Sequence, residues 1–330
     1  MQKAKIIFLI VGCLILVLLF KTFGLEKTVS HIVEMGWRFW LIILICLFNN
    51  ICLTFSWKYL IHYPVQWSYF SKLLLARIAG DATSSINTLG AFAGEPIKAL
   101  YIKDTVPFRA GLASVVMDRT VHTLVNILII ITGISLSFFV LNLPMYLSLV
   151  AMGAFLLTLL LMLLIMKKQR EGIFTYFLQL LPKKLTAQFM NPMRWEKVKN
   201  LDDEIGEILK RRETRRNFFI AISVRYISII LSGTFEIYFI MKFIGVNISV
   251  TNANFVYIFG LFLTGVIFFM PANLGTSEGS YSLALKFLGF DPALGLSVGI
   301  IRRLRTFVWS GIGILILFYA GLLKGNEPEK

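Results

Sequence analysis

The feature that most constrains the fold of this chain is a series of long apolar runs. Residues 39–61 and 145–166 each hold enough apolar side chains to cross a membrane as a helix, which requires about 20 residues. A backbone surrounded by lipid finds no water to bond, so such runs fold as helices. The sequence is 57% hydrophobic and 15% charged. We therefore predict an all-α, polytopic integral membrane protein that forms a single domain over residues 1–330.

One stretch, residues 87–119, interrupts this apolar pattern. Gly90, Gly94 and Pro96 are predicted to break the helix before Glu95, because Gly is conformationally loose and Pro lacks a backbone donor. Broken backbone at membrane depth is tolerated only where it is buried in protein or lines a cavity, and charges there are usually functional. The charged side chains of this stretch are Glu95, Lys98, Lys103, Asp104, Arg109, Asp118 and Arg119.

A second interrupted stretch, residues 273–302, resembles the first. Glu95 precedes Arg119 by 24 positions, and Glu278 precedes Arg302 by the same 24. Repeats that each carry a broken helix indicate a transporter site near the middle of the bilayer. The further matches are Asn87-x-Leu-Gly90 with Asn273-Leu-Gly275, Gly94-Glu95 with Glu278-Gly279, and Gly111-Leu-Ala with Gly295-Leu-Ser. Pro271 is predicted to break the helix in the second stretch.

The distribution of basic residues predicts the topology. Residues 167–216 hold thirteen Lys or Arg against seven Asp or Glu, so this loop is predicted to be cytoplasmic. A first span at residues 6–23 follows a basic start, which places the N-terminus inside as well. Repeat 1 (about 39–141) then carries a re-entrant hairpin from the cytoplasm, and repeat 2 (about 217–323) carries one from outside. These would be inverted repeats with a cytoplasmic C-terminus; if only one hairpin spans, that terminus changes sides.

Several function classes are disfavoured. The net charge of +15 is explained by cytoplasmic loops and anionic lipid headgroups, so we expect no nucleic acid. The three cysteines lie in apolar runs and the three histidines are scattered, without the spacing of a metal site. The sequence holds no P-loop, nucleophile elbow or Rossmann fingerprint. We therefore predict no metal, no cofactor and no enzymatic activity.

The candidate site residues are charged side chains at the two breaks. Arg119, Arg302 and Arg303 are predicted to bind an anionic phosphate, because guanidinium groups bind phosphate oxygens bidentately. Glu95 and Glu278 are predicted to lie at the hairpin tips on the substrate path, together with Asn87 and Asn273. The alternatives are that the glutamates solvate exposed turns and that the arginines at 302–305 mark a helix end.

Other polar residues carry coupling or structural hypotheses. Asp118 is predicted to form a buried ion pair with its neighbour Arg119 or to take part in coupling. His122 is either a satisfied core histidine or a protonation site. Lys98 and Arg305 complete this set of coupling or structural candidates. Arg225 and Glu236 lie eleven residues apart on one predicted helix, too far apart to pair directly.

These motifs resemble the flippase-like family related to the transmembrane region of lysylphosphatidylglycerol synthase. The resemblance rests on Asn87-x-Leu-Gly-x-x-x-Gly-Glu-Pro96 leading to Met-Asp-Arg119, and on Met270-Pro-x-Asn-x-Gly-x-x-Glu278 followed by Arg302-Arg303. It covers about residues 5–323, with Ala93 where the family usually has Gly. The resemblance implies an inner-membrane protein that moves lipids. It does not imply aminoacyl transfer, for which residues 1–330 leave no room.

The predicted function is therefore transbilayer movement of an anionic lipid, such as a phospholipid or a polyprenyl-phosphate-linked lipid, through a cavity between two inverted repeats. The alternatives are a membrane enzyme that modifies lipid headgroups or lipid-linked sugars, with Glu95, Asp118 and Glu278 as its acids, and a non-catalytic scaffold in a lipid-processing complex. The predicted partners are anionic membrane lipids, with lipid-biosynthesis enzymes as further candidates.

Overall fold

The computed structural model describes residues 30–31, 33–86, 94–140, 212–266 and 273–321, and six isolated positions between 153 and 200. Within those ranges the chain is helical and contains no strand. A short 3-10 turn at Gly36–Arg38 precedes the first long helix, and another at Trp67–Tyr69 precedes the second. The helices are α1 (Phe39–Lys58), α2 (Phe70–Ile86), α3 (Glu95–Tyr101), α4 (Phe108–Val140), α5 (Arg212–Phe243), α6 (Val250–Val266), α7 (Thr276–Phe287) and α8 (Ala293–Tyr319).

These helices agree closely with the apolar runs of the sequence. The main difference is α5, which begins at Arg212 rather than at the predicted residue 217. Its first turns contain Arg and Glu, which are good helix formers, so the helix extends beyond its apolar part. The predicted spans at 6–23 and 145–166 and most of the basic loop at 167–216 lie outside the described residues.

Three of the described helices are long and apolar enough to cross a membrane. They run over Val33–Lys58, Phe108–Gly133 and Arg216–Phe243. Each of these segments also leaves much of its apolar surface on the outside of the protein, as lipid-facing helices do. The prediction of an all-helical membrane protein is therefore confirmed. The inverted repeats and the re-entrant hairpins remain predictions.

The helices follow the same order in both halves of the described chain. A long helix is followed by a second helix, a segment outside the described residues, a short helix and another long helix, as α1 to α4 and again as α5 to α8. The halves interlock, because α1 packs against α5, α2 packs against α8, and α4 packs against α6. Each short helix packs against the helices before and after it, α3 between α2 and α4, and α7 between α6 and α8.

Small residues allow these helices to approach closely. A Cβ atom on Gly313 of α8 would lie 2.3 Å from the Cβ of Ala82 on α2. A Cβ atom on Gly133 of α4 would lie 2.2 Å from a methyl group of Ile258 on α6. Helix pairs inside membranes gain their stability from such close packing, since lipid chains are as apolar as the side chains they replace.

A short helix begins directly after each of the two predicted helix breaks. Gly94 caps α3, with Pro96 in the first turn, and a Cβ atom on Gly94 would lie 1.9 Å from the carbonyl oxygen of Gly80. Gly275 caps α7 with a left-handed φ of 75°, a conformation that favours glycine, and Asn273 has φ 50°. The other two predicted break residues, Gly90 and Pro271, lie outside the described residues, as does Asn87.

Candidate functional site

The first half of the site is a chain of charged side chains around Glu95. Its carboxylate lies in the first turn of α3, 4.0 Å from Nη1 of Arg119 on α4. On the other side, Lys98 Nζ lies 3.6 Å from Glu95 Oε2 and 2.9 Å from Asp81 Oδ1 on α2. The break therefore brings residues of three helices together, and Arg119 keeps about a third of its side chain exposed.

Asp118 belongs to a separate, deeper cluster. Arg77 Nη2 on α2 donates to Asp118 Oδ2 at 3.0 Å, and Arg225 on α5 donates to Asp118 Oδ1. Arg77 and Arg225 are 3% and 2% exposed. Asp118 is thus buried and ion-paired, but with residues of two other helices rather than with its neighbour Arg119, because consecutive residues on a helix point in different directions. The cluster instead connects the two halves of the protein.

The second half of the site is centred on Glu278 in the first turn of α7. Its carboxylate is fully buried. Arg303 on α8 donates to Glu278 Oε1 twice, from Nε at 3.0 Å and from Nη2 at 2.6 Å. Ser277 Oγ donates to the other carboxylate oxygen at 2.8 Å. Arg303 Nη2 also lies 3.5 Å from the backbone oxygen of Asn273, a predicted site residue, and this oxygen accepts a hydrogen bond from Ser277 Oγ at 3.2 Å as well.

Glu236 on α5 holds the other two arginines of α8. Its Oε2 lies 3.2 Å from Nη2 of Arg302, and its Oε1 accepts a hydrogen bond from Nη1 of Arg305 at 2.5 Å. Arg302 also donates to the hydroxyl of Tyr281 on α7, and its guanidinium lies 5.2 Å from the ring centroids of both Tyr257 and Tyr281. Since α8 continues to Tyr319, these arginines lie within a helix and do not mark its end.

The geometry changes one correspondence between the two stretches. Equal spacing predicts that Arg302 is the counterpart of Arg119, but the residue that pairs with Glu278 is Arg303. The segment from Glu278 to Gly295 is one residue longer than the segment from Glu95 to Gly111, and Arg303 and Arg119 each follow that glycine by eight residues. Arg119 and Arg303 thus occupy similar positions, each opposite the glutamate that follows a break.

His122 lies one turn beyond Asp118 on α4 and is within 3.2 Å of the side-chain nitrogen of Asn126. It therefore lies close to the cluster around Asp118, and its polar partner Asn126 is on its own helix. Arg225 and Glu236 do not contact each other and instead bond to α4 and α8. Sequence spacing identified both as charges within a span, but which charges they meet depends on how the halves interlock.

A cavity of about 190 Å³ lies beside the second half of the site. The sequence predicts a cavity between the two halves but not which residues line it, and the walls of this cavity come from α1, α5, α6 and α8. Its lining is predominantly polar, and the side chains that give it this character are Cys46, Asn49, Ser232, Glu236, Arg302 and Arg305. Within the described part of the chain, no group of three His, Cys, Asp or Glu is arranged to hold a metal ion.

These features define an α-helical membrane protein in which two short helices each present a glutamate of their first turn to an arginine of the next long helix. The family described as "Lysylphosphatidylglycerol synthase TM region" matches residues 5–313, and the chain belongs to that family. This confirms the resemblance seen in the sequence and indicates a membrane protein related to lipid processing. No curated protein and no solved structure matches the chain.

Proposed function

We propose that this protein moves an anionic lipid, such as a phospholipid or a polyprenyl-phosphate-linked lipid, between the two leaflets of the cell membrane. The observation that carries the proposal is the pair of matched glutamate–arginine contacts, Glu95 with Arg119 and Glu278 with Arg303. Each contact lies at a helix break, and charged groups at such breaks are typical of substrate paths in membrane transporters.

The chemistry of the pairs suits a lipid phosphate. A guanidinium that bonds a carboxylate presents the same donor geometry to a phosphate, so the two anions compete for it. Arg119, Arg302 and Arg303 each keep part of their side chain exposed, so a substrate can reach them without the protein unfolding. In this proposal the glutamates hold the arginines in place until a lipid phosphate takes over the bond.

The packing supports a path between two related halves. Two cross-half contacts correspond to each other, α2 with α8 and α6 with α4, as a two-fold relation between the halves requires. The proposed relation is inverted, with the first hairpin opening to the cytoplasm and the second to the outside. Both termini and the basic loop at 167–216 are proposed to be cytoplasmic.

Translocation is tested in liposomes that contain the purified protein and a fluorescent phosphatidylglycerol. A membrane-impermeant reductant quenches the outer leaflet, and probe that arrives from the inner leaflet is then lost. We expect the double variant Glu95→Gln, Glu278→Gln to slow this second phase by about tenfold or more. A charge-assisted hydrogen bond such as those between Glu278 and Arg303 contributes about 1.5–3 kcal/mol, and about 1.4 kcal/mol corresponds to a tenfold change in rate. Arg303→Gln should have a similar effect.

Lys286→Gln is the matched control, because Lys286 is an exposed residue of the same short helix as Glu278 and lies at its far end. Its rate should equal that of the unmodified protein. If the unmodified protein quenched no faster than empty liposomes, the proposal would fail. Mass spectrometry of the recovered lipid distinguishes the enzyme alternative, for which the probe would be chemically altered, whereas translocation leaves it intact.

A further inference from the structure

The 190 Å³ cavity carries an excess of positive charge. Arg302 and Arg305 enter it from α8. Glu236 enters it from α5 and is the one carboxylate among the lining residues that the structure describes. Nε of Arg305 is buried and, within the described residues, has no hydrogen-bond partner. A buried donor without a partner is costly, so this group is suited to an acceptor that the protein itself does not supply. A singly charged anion would balance the cavity.

An apolar groove adjoins this cavity. The groove has a volume of about 520 Å³ and runs between α1 and α5. Leu44 and Phe48 on its α1 wall are 57% and 52% exposed, and Phe235 and Phe239 line its α5 wall. Ile45 and Ser232 line both the groove and the cavity, so the two spaces meet at these residues.

We infer that the groove and the cavity together bind one anionic lipid, with an acyl chain along α1 and α5 and its phosphodiester at Arg302 and Arg305. A phosphodiester carries one negative charge, which matches the excess charge of the cavity. The cavity is large enough for the phosphate and too small for the chains. The groove is larger and apolar, so it suits an acyl chain and not a charged phosphate. This inference rests on the proposed function and adds the place where the lipid enters the protein from the bilayer, between α1 and α5.

The position of the site also explains how binding would reach the rest of the protein. A phosphate at Arg302 and Arg305 competes with Glu236, which is their common partner on α5. Arg303, which follows Arg302 on α8, pairs with Glu278 in the first turn of α7. Lipid binding at the cavity therefore acts directly on the helix that carries the glutamate–arginine pair.

Cys46 lines the cavity and reports on its occupancy. In protein with Cys13→Ser and Cys52→Ser, the rate at which N-ethylmaleimide modifies Cys46 is followed by intact-protein mass spectrometry in detergent. A short-chain phosphatidylglycerol should slow the modification by about tenfold when the site is nine-tenths occupied. Phosphatidylcholine with the same chains, which has no net charge, and glycerol 3-phosphate, which has no chains, should protect much less.

Two variants locate the lipid. Ile45→Trp fills the junction and should abolish the protection, whereas Ile51→Trp, at an exposed position of the same helix outside both spaces, should leave it unchanged. Arg305→Gln should reduce protection by phosphatidylglycerol to the level of phosphatidylcholine, and this change does not alter the packing volume greatly. Size-exclusion chromatography shows which variants are folded.

Equal protection by the two phospholipids would overturn the assignment of the phosphate, and equal protection by glycerol 3-phosphate would show a soluble phosphate site instead. If no lipid protected Cys46 while the liposome assay still showed translocation, the inference would fail and the proposed function would stand. Protection without translocation would support the lipid site and overturn the proposed function.

Discussion

Asp118 illustrates how strongly single charges are held in this protein. Its two partners, Arg77 and Arg225, come from α2 and α5, and each is almost fully buried. Removing one member of a buried ionic group leaves the others without compensation, which costs about 3–5 kcal/mol. We therefore expect Asp118→Asn to lower the thermal unfolding midpoint in detergent strongly, as measured by the fluorescence of the protein.

The control is Asp104→Asn. Asp104 also pairs with a cation, Lys72 at 3.5 Å, but its side chain is 71% exposed. Exposed pairs contribute about 0–1 kcal/mol, so this variant should unfold close to the unmodified protein. Similar midpoints for the two variants would mean that the buried cluster is not a structural requirement.

At the level of the elements, the pair α7–α8 depends on one close approach. A Cβ atom on Gly295 of α8 would lie 2.1 Å from the backbone nitrogen of Ser282 on α7. Because backbone atoms cannot move aside as a side chain can, Gly295→Ala should push the two helices apart. We expect a loss of stability of about 1–3 kcal/mol and a weakened contact between Glu278 and Arg303, seen as a lower unfolding midpoint and slower lipid movement.

Gly311→Ala lies on the same helix and has no atom within 4 Å of its new methyl group. Alanine favours helix over glycine by about 1 kcal/mol, so this variant should be as stable as the unmodified protein or slightly more stable. If Gly295→Ala behaved in the same way, the packing of α7 on α8 would be looser than the structure indicates.

At the scale of the whole molecule, the arrangement of the halves decides on which side each hairpin opens. Lys103 follows α3 and Lys286 lies in the last turn of α7, and both are exposed. Inverted repeats predict that they face opposite sides of the membrane. In protein without its three cysteines, carrying Lys103→Cys or Lys286→Cys, an impermeant thiol reagent added to sealed inside-out vesicles should modify only Lys103→Cys.

Permeabilised vesicles provide the control, because both thiols should then react. The protein without cysteines should stay unmodified throughout. Modification of both positions in sealed vesicles would exclude inverted repeats. It would also place the C-terminus outside, contrary to the topology predicted from the basic residues.

Much of the candidate site was predictable because glycine, proline and charge are conspicuous in an apolar sequence. Glu95 and Glu278 were identified from their positions after the breaks, and both begin or lie in the first turn of a short helix. Their arginine partners were harder to assign. One extra residue between Glu278 and Gly295 makes Arg303, rather than Arg302, the partner of Glu278. Spacing alone does not show which side of a helix faces a neighbour.

The sequence by itself determined that this is a helical membrane protein, since long apolar runs in lipid satisfy their backbone only within helices. It also indicated where the short helices α3 and α7 begin. Only the tertiary structure decided that Arg225 meets Asp118, that Glu236 holds Arg302 and Arg305, and that a charged cavity joins an apolar groove. These contacts connect helices far apart in the chain, and local sequence patterns carry no information about which distant helices pack together.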